Sequence, residues 1–134
     1  MRVLVVGGSG LLGSATAELA KARGHDVTVL ARNPPADGSP FLNIDVYGLA
    51  KDAWPAVLTG FDTVVYAMGK DDREAQPRPA YTAFAADHVV TCGAMATAAR
   101  EVGVRRFVCF GSGLRALRAR IHQYIQIVGG TPTI

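Results

Sequence analysis

The 134 residues are 49% hydrophobic and 19% charged, with 15 Gly, 7 Pro and a net charge of +3, which excludes a disordered chain, a collagen and a coiled coil. A chain of this length buries roughly two thirds of its unfolded surface, enough for one core without disulfides or metal, so residues 1–134 are read as a single domain. Residues 100–134 carry six Arg against one Glu, but no basic stripe is interleaved with exposed aromatics and no docking motif is present, so no nucleic acid partner is expected.

Val3–Val6 is a short apolar run without polar alternation, the pattern of a strand buried on both faces. Glycines at 7, 8, 10 and 13 end it, too early for a signal peptide. From Leu11 to Arg23 the residues Leu12, Ala15, Thr16 and Leu19 recur at helical spacing, and Gly24 stops the helix. Val27–Ala31 is a second buried strand, and residues 33–40, with three Pro and a Gly, form a loop.

Phe41–Ile44 reads as a third strand, with a short helix over Leu49–Leu58 to follow. Thr63–Ala67 is a fourth strand and Gly69–Pro79 a charged loop, a candidate lid or a solvated connection. Tyr81–Val102 is a long helix whose inner stripe runs Tyr81, Phe84, Ala85, His88, Cys92, Met95, Ala99 and Val102. Phe107–Phe110 is a fifth strand. In the last segment Leu114, Leu117, Ile121, Tyr124, Ile125 and Val128 step by three and four residues, the signature of a further helix.

Alternating strands and helices require a parallel sheet with helices on both faces, because each parallel return needs a right-handed crossover. The expectation is a doubly wound α/β fold with strand order 3-2-1-4-5 and a ligand crevice at the carboxyl ends of strands 1 and 4. No apolar stretch reaches the roughly 18 residues a membrane span needs. Cys92 and Cys109 lie in apolar stretches without CxxC or Cys/His spacing, so no metal is expected and both are read as reduced core thiols of a cytoplasmic protein.

Gly7-Gly8-Ser9-Gly10-Leu11-Leu12-Gly13 satisfies GxxGxxG from Gly7 and GxGxxG from Gly8, directly after a predicted strand and at the start of a predicted helix. In that context a dinucleotide pyrophosphate meets the free N–H groups and positive end of the helix. Gly7 makes the tight turn, Gly10 admits the phosphates and Gly13 lets the helix lie close; Ser9, Leu11 and Leu12 complete the candidate phosphate-binding loop. A P-loop is excluded because no Gly-Lys-Ser/Thr follows. The second strand ends in Ala31-Arg32 where an NAD site places an acid, and Asp26 stands at the wrong end. Arg32 suits a ribose 2'-phosphate, so NADP is expected over NAD.

The opening MRVLVVGGSGLLGSATAELAKARGHDVTVLARNP and residues 98–112, AAREVGVRRFVCFGS, resemble the extended short-chain dehydrogenase/reductases, the Rossmann-fold family of NAD(P)-dependent epimerases, dehydratases and atypical reductases. The resemblance implies that Gly7, Gly10 and Gly13 line the pyrophosphate and that Arg32 meets the adenosine phosphate. It places Asp45 and Val46 at the edge of the adenine, and Ala67, Met68 and Gly69 beside the ribose near the nicotinamide. His88 stands where many relatives have Asn, as a catalytic or a core histidine.

The family's general acid/base is a Tyr with Lys four residues on, assisted by a Ser or Thr. Ser112 fits the last position, or a helix N-cap. Tyr124 is the one Tyr beyond the fifth strand, and it is followed by Val128 instead of Lys. Tyr124 is therefore a candidate catalytic residue or part of the apolar stripe. The pairs Tyr47/Lys51 and Tyr66/Lys70 match the spacing at the wrong place in the fold. Family enzymes are considerably longer, which implies a C-terminally truncated chain and an open fifth-strand edge through which a homodimer forms. The readings that follow are an NADP-dependent oxidoreductase or epimerase acting on a small carbonyl or sugar-like substrate, a non-catalytic NADP-binding regulatory module, or a truncated inactive member.

Overall fold

The computed structural model describes residues 1–68 and 90–110. Five parallel strands, β1 (Arg2–Val6), β2 (Asp26–Ala31), β3 (Phe41–Asn43), β4 (Thr63–Tyr66) and β5 (Arg106–Cys109), form one sheet in the order β3-β2-β1-β4-β5. This is the expected doubly wound order. Val3 of β1 pairs with Val27 of β2 on one side and Thr63 of β4 on the other. Each of β1 to β4 differs from the sequence reading by one residue at one end, and β5 starts and ends one residue earlier, because backbone pairing and apolar character do not stop at the same residue.

Among the described residues three helices cover the two faces: α1 (Leu11–Ala22), α2 (Trp54–Leu58), entered through a 3-10 turn at Lys51–Ala53, and α3 (Thr91–Glu101). Because successive strand residues face opposite ways, β1 sends Leu4 and Val6 toward Trp54, Leu58 and Met95. Val3 and Val5 point toward Ala17 and Ala20 of α1. Trp54 is 1% exposed and fills the centre of the α2/α3 side. Cys92, Met95 and Ala99 face inward as the periodicity of α3 predicts. Tyr81, Phe84, Ala85 and His88, the loop at 69–79 and the apolar segment 114–128 lie outside the described residues.

The spacing of Leu12, Ala15, Thr16 and Leu19 marks the helix, but the face of α1 that packs on the sheet is Gly13, Ala17 and Ala20. Leu12 and Leu19 are 56% and 54% exposed. The helix lies so close to the sheet and to the turn before it that only small side chains fit beneath it, and hydrophobicity alone does not reveal that separation.

The amino edge of the sheet is tied at Arg2. Its N–H donates to Asp62 Oδ2 at 2.8 Å, its Nη1 donates to the Gly60 carbonyl at 2.9 Å, and its guanidinium lies 5.1 Å from the centre of the Phe61 ring. These contacts hold the end remote from the crevice. Among the described residues no helix is long and apolar enough to cross a membrane, and no group of three or more His, Cys, Asp or Glu could hold a metal.

Candidate nucleotide-binding site

The carboxyl ends of the strands converge on the glycine loop. Gly7 N–H donates to the Leu30 carbonyl of β2 at 2.8 Å, and Ala67 N–H donates to the Val6 carbonyl of β1 at 2.8 Å. Phe110 N–H donates to the Tyr66 carbonyl at 3.2 Å. The loop after β1 therefore sits between the residues that follow β2 and those that follow β4, at the point where the chain's direction of strand addition reverses.

Each glycine of the loop has its own steric reason. Gly7 has φ +81°, and a Cβ there would lie 2.9 Å from Met68 Sδ and 3.0 Å from the Ala67 carbonyl oxygen. A Cβ on Gly8 would run into the Val29 side chain. A Cβ on Gly13 would fall on the Gly7 carbonyl oxygen, with Gly7 C at 2.7 Å and Gly8 Cα at 2.8 Å. Gly10 is different. Its backbone is extended (φ −78°, ψ 174°), and an added Cβ has only the Gly7 carbonyl oxygen within 4 Å, at 3.4 Å. Folding therefore explains Gly7, Gly8 and Gly13, whereas the space over Gly10 is one that the described residues leave open.

Gly10 is also the N-cap of α1. Its own N–H donates to the Gly7 carbonyl at 3.1 Å. The N–H groups of Leu11, Leu12 and Gly13 have no partner within an α-helix, the N-cap Gly10 offers no side chain to cap them, and no acid occupies the first turn. Leu11 is 89% exposed, so its backbone is accessible to a ligand. The positive end of a 12-residue helix thus faces the crevice with no compensating acid in its own first turn.

The remaining candidates lie around this centre. Arg32 follows β2 directly and is exposed; among the described residues it makes no ion pair. Asp45 is exposed and accepts the Tyr47 N–H through Oδ1 at 3.3 Å, while the Val46 side chain is buried beside the core. Ala67 and Met68 are half-buried at the end of β4. Gly69, His88, Ser112 and Tyr124 lie outside the described residues. Tyr66, the first residue of one coincidental Tyr-Lys match, is 2% exposed, with its ring centre 6.4 Å from that of Phe107. Burial, then the Tyr47 phenol and the two cysteine thiols, push its hydroxyl well above the usual phenol range, which makes it a core residue and no base.

A cavity of about 470 Å³ opens beside the loop, lined by Gly8, Ser9, Ser14, Val29, Asn33 and Asp37 among others. Its outer wall is a cluster the sequence reading missed: Lys21 of α1 bonds to both Asp37 and Ser39, and Ser39 N–H donates to Asp37 Oδ1 at 3.0 Å. The Lys21 ammonium, then Ser39, hold the Asp37 carboxyl below the usual carboxylate range. Spacing gives no signal for this pair, because α1 and the loop at 33–40 meet only after β2 has turned back.

The family model described as "NAD dependent epimerase/dehydratase family" matches residues 3–116. "Epimerase family protein SDR39U1" from Bos taurus is 45% identical over 51 residues, 38% of this chain and 17% of that protein. A short-chain dehydrogenase/reductase superfamily protein from Agrobacterium tumefaciens with bound NAD superposes with TM-score 0.69 at 23% identity, covering 84% of this chain and 33% of its own. A UDP-glucose-4-epimerase from Stenotrophomonas maltophila, with bound NAD and formylated UDP-arabinopyranose, superposes with TM-score 0.68 at 22% identity and covers 84% and 37%. The chain thus spans about a third of these solved structures and matches a smaller share of the curated relative.

Two outcomes follow from this geometry. In chemical denaturation Gly13→Ala costs ~3 kcal/mol by overpacking, whereas Gly10→Ala costs about 1 kcal/mol or less; equal losses contradict the division of roles. Because the Asp37 carboxyl is held low in the folded chain, its contribution is present above the unfolded carboxylate value near 3.9 and is lost as pH falls below it. Thermal melts at descending pH check this, and Asp37→Asn flattens the acid limb.

Proposed function

The chain belongs to the NAD dependent epimerase/dehydratase family, and from that premise we propose that these residues form the dinucleotide-binding part of an epimerase- or reductase-type protein that prefers NADP to NAD. The observation that carries the reading is the open cradle over Gly10 at an uncapped helix end. Such a place suits a doubly charged diphosphate, which needs close backbone approach and N–H donors together.

In this reading the N–H groups of Leu11, Leu12 and Gly13 hold the pyrophosphate, with Ser9 and Gly10 beside it and Gly7 setting the turn. Arg32 receives the ribose 2'-phosphate through its planar fork. Asp45 and the Val46 backbone edge the adenine, and Ala67, Met68 and Gly69 border the ribose next to the nicotinamide. A bound nicotinamide supplies a hydride donor or acceptor. The chain's own part is to orient it and to neutralise the phosphates.

Proton transfer is not assigned to these residues. Beyond β5 Tyr124 is followed four positions on by Val128, and no Lys occurs after Lys70. A second reading is a cofactor-sensing module without turnover, in which Ser112 and Tyr124 have structural roles only. Under the enzymatic reading Ser112 orients a small carbonyl or sugar-like substrate. The two free thiols suit a cytoplasmic setting. The edge at β5, where Val108 and Phe110 are exposed, suits pairing of two copies; light scattering that finds a monomer contradicts that part.

Titration with NADPH and NADH tests the rest. NADPH binds at least tenfold more tightly than NADH, Arg32→Ala erases the difference, and Gly10→Val weakens both by tenfold or more while the chain still melts cooperatively. Equal affinity of the unmodified chain for the two coenzymes contradicts the role of Arg32, and no binding of either contradicts the cofactor reading. Oxidation of bound NADPH by a panel of carbonyl compounds supports the enzyme; retained binding without turnover supports the sensor.

A further inference from the structure

Cys92 and Cys109 are the chain's two cysteines. They are seventeen positions apart in sequence, yet the fold sets their sulfurs 3.3 Å from each other. Cys92 is the second residue of α3 and Cys109 the last of β5. Neither is bonded to the other. We propose that Cys92 and Cys109 form an oxidisable dithiol, a modification site that accepts small disulfides of the glutathione type and closes into an intramolecular Cys92–Cys109 bond.

The geometry supports both partners' roles. A disulfide has its sulfurs about 2.0 Å apart, so closing from 3.3 Å needs about 1.3 Å of sulfur movement, within the reach of side-chain torsions. Cys92 is 6% exposed and out of reach of a bulky oxidant. Cys109 is only half-buried, on an edge strand between the exposed Val108 and Phe110. The accessible sulfur is therefore the one that meets the oxidant, and the buried one resolves the intermediate.

Proton placement agrees with this order. The Cys92 thiol donates its hydrogen bond to the Cys109 sulfur, which holds the Cys109 thiol below its usual range, against the opposing effect of burial. The same bond, then burial, raise Cys92. The thiolate, the attacking species, thus forms on Cys109.

The exchange balances with the named oxidant. The Cys109 thiolate attacks one sulfur of glutathione disulfide, whose S–S bond breaks, and one glutathione departs with the electron pair and takes up the proton lost by Cys109. Cys92, surrendering its proton, then attacks the Cys109 sulfur of the mixed disulfide, and the second glutathione leaves as a thiol. Two protein thiols are oxidised to one disulfide and one glutathione disulfide is reduced to two thiols.

The bond ties the start of α3 to the carboxyl end of β5. There the Phe110 N–H meets the Tyr66 carbonyl and the chain continues into Ala67, against which Gly7 is packed. The dithiol lies one strand from the glycine loop.

The test is incubation of the full chain with glutathione disulfide, acid quenching, alkylation of remaining thiols and mass spectrometry. The expected product is a chain not crosslinked to a second copy, with no alkylatable thiol and a crosslinked Cys92–Cys109 peptide, reversed by reduced glutathione. Cys92→Ser stops at a mixed disulfide on Cys109, and Cys109→Ser leaves Cys92 at least tenfold less reactive. Two free thiols after oxidation, a bond formed only between molecules, or equal glutathione addition in the two variants overturns the proposal.

Discussion

The site is built on the approach of α1 to the turn that precedes it, where Gly13 rests on the backbone of Gly7 and Gly8 with no room for a Cβ. That contact fixes how far β1 and α1 are separated and therefore where the first turn of the helix points. Gly7, held by the Leu30 carbonyl and packed against Ala67 and Met68, ties the turn to the ends of β2 and β4 at once. A set of N–H groups without helical partners is left facing the crevice between β1 and β4. The site's chemistry follows from a packing constraint between backbones, before any functional side chain is considered.

The same constraint explains an arrangement that hydrophobicity alone predicts wrongly. Gly13, Ala17 and Ala20 cover the sheet on the α1 side, while Leu11, Leu12 and Leu19 remain exposed. On the other face Trp54, Leu58 and Met95 fill the space between the sheet and α2 and α3. One face is closed by closeness and the other by bulk. The small-residue face supports the glycine loop, and the bulky face carries most of the large buried side chains.

Strand order was legible because apolar runs, glycine breaks and the handedness of crossovers leave few arrangements open. The glycine loop was legible because three of its glycines are demanded by backbone geometry that recurs wherever a helix is packed this tightly on a turn. The Lys21–Asp37–Ser39 cluster was not legible, since its members come together through the turn of β2 and no spacing marks them. The cysteine pair escaped for the same reason: Cys92 and Cys109 each read as core thiols, and only the pairing of β5 with β4 and the seat of α3 over it bring the sulfurs together. Buried Val46 shows a further limit, because periodicity cannot tell a residue whose side chain serves the core from one whose backbone borders a crevice.

Backbone amide spectra offer the most direct view of the claim that the first turn of α1 is a diphosphate seat. When the isotope-labelled chain is titrated with NADPH, the account predicts that the largest shifts fall on Ser9, Leu11, Leu12 and Gly13, followed by Arg32 and Ala67. Pyrophosphate alone, at higher concentration, reproduces the first group and spares Arg32. Amides of the glycine loop that stay in place while residues on another face respond contradict the account at its centre.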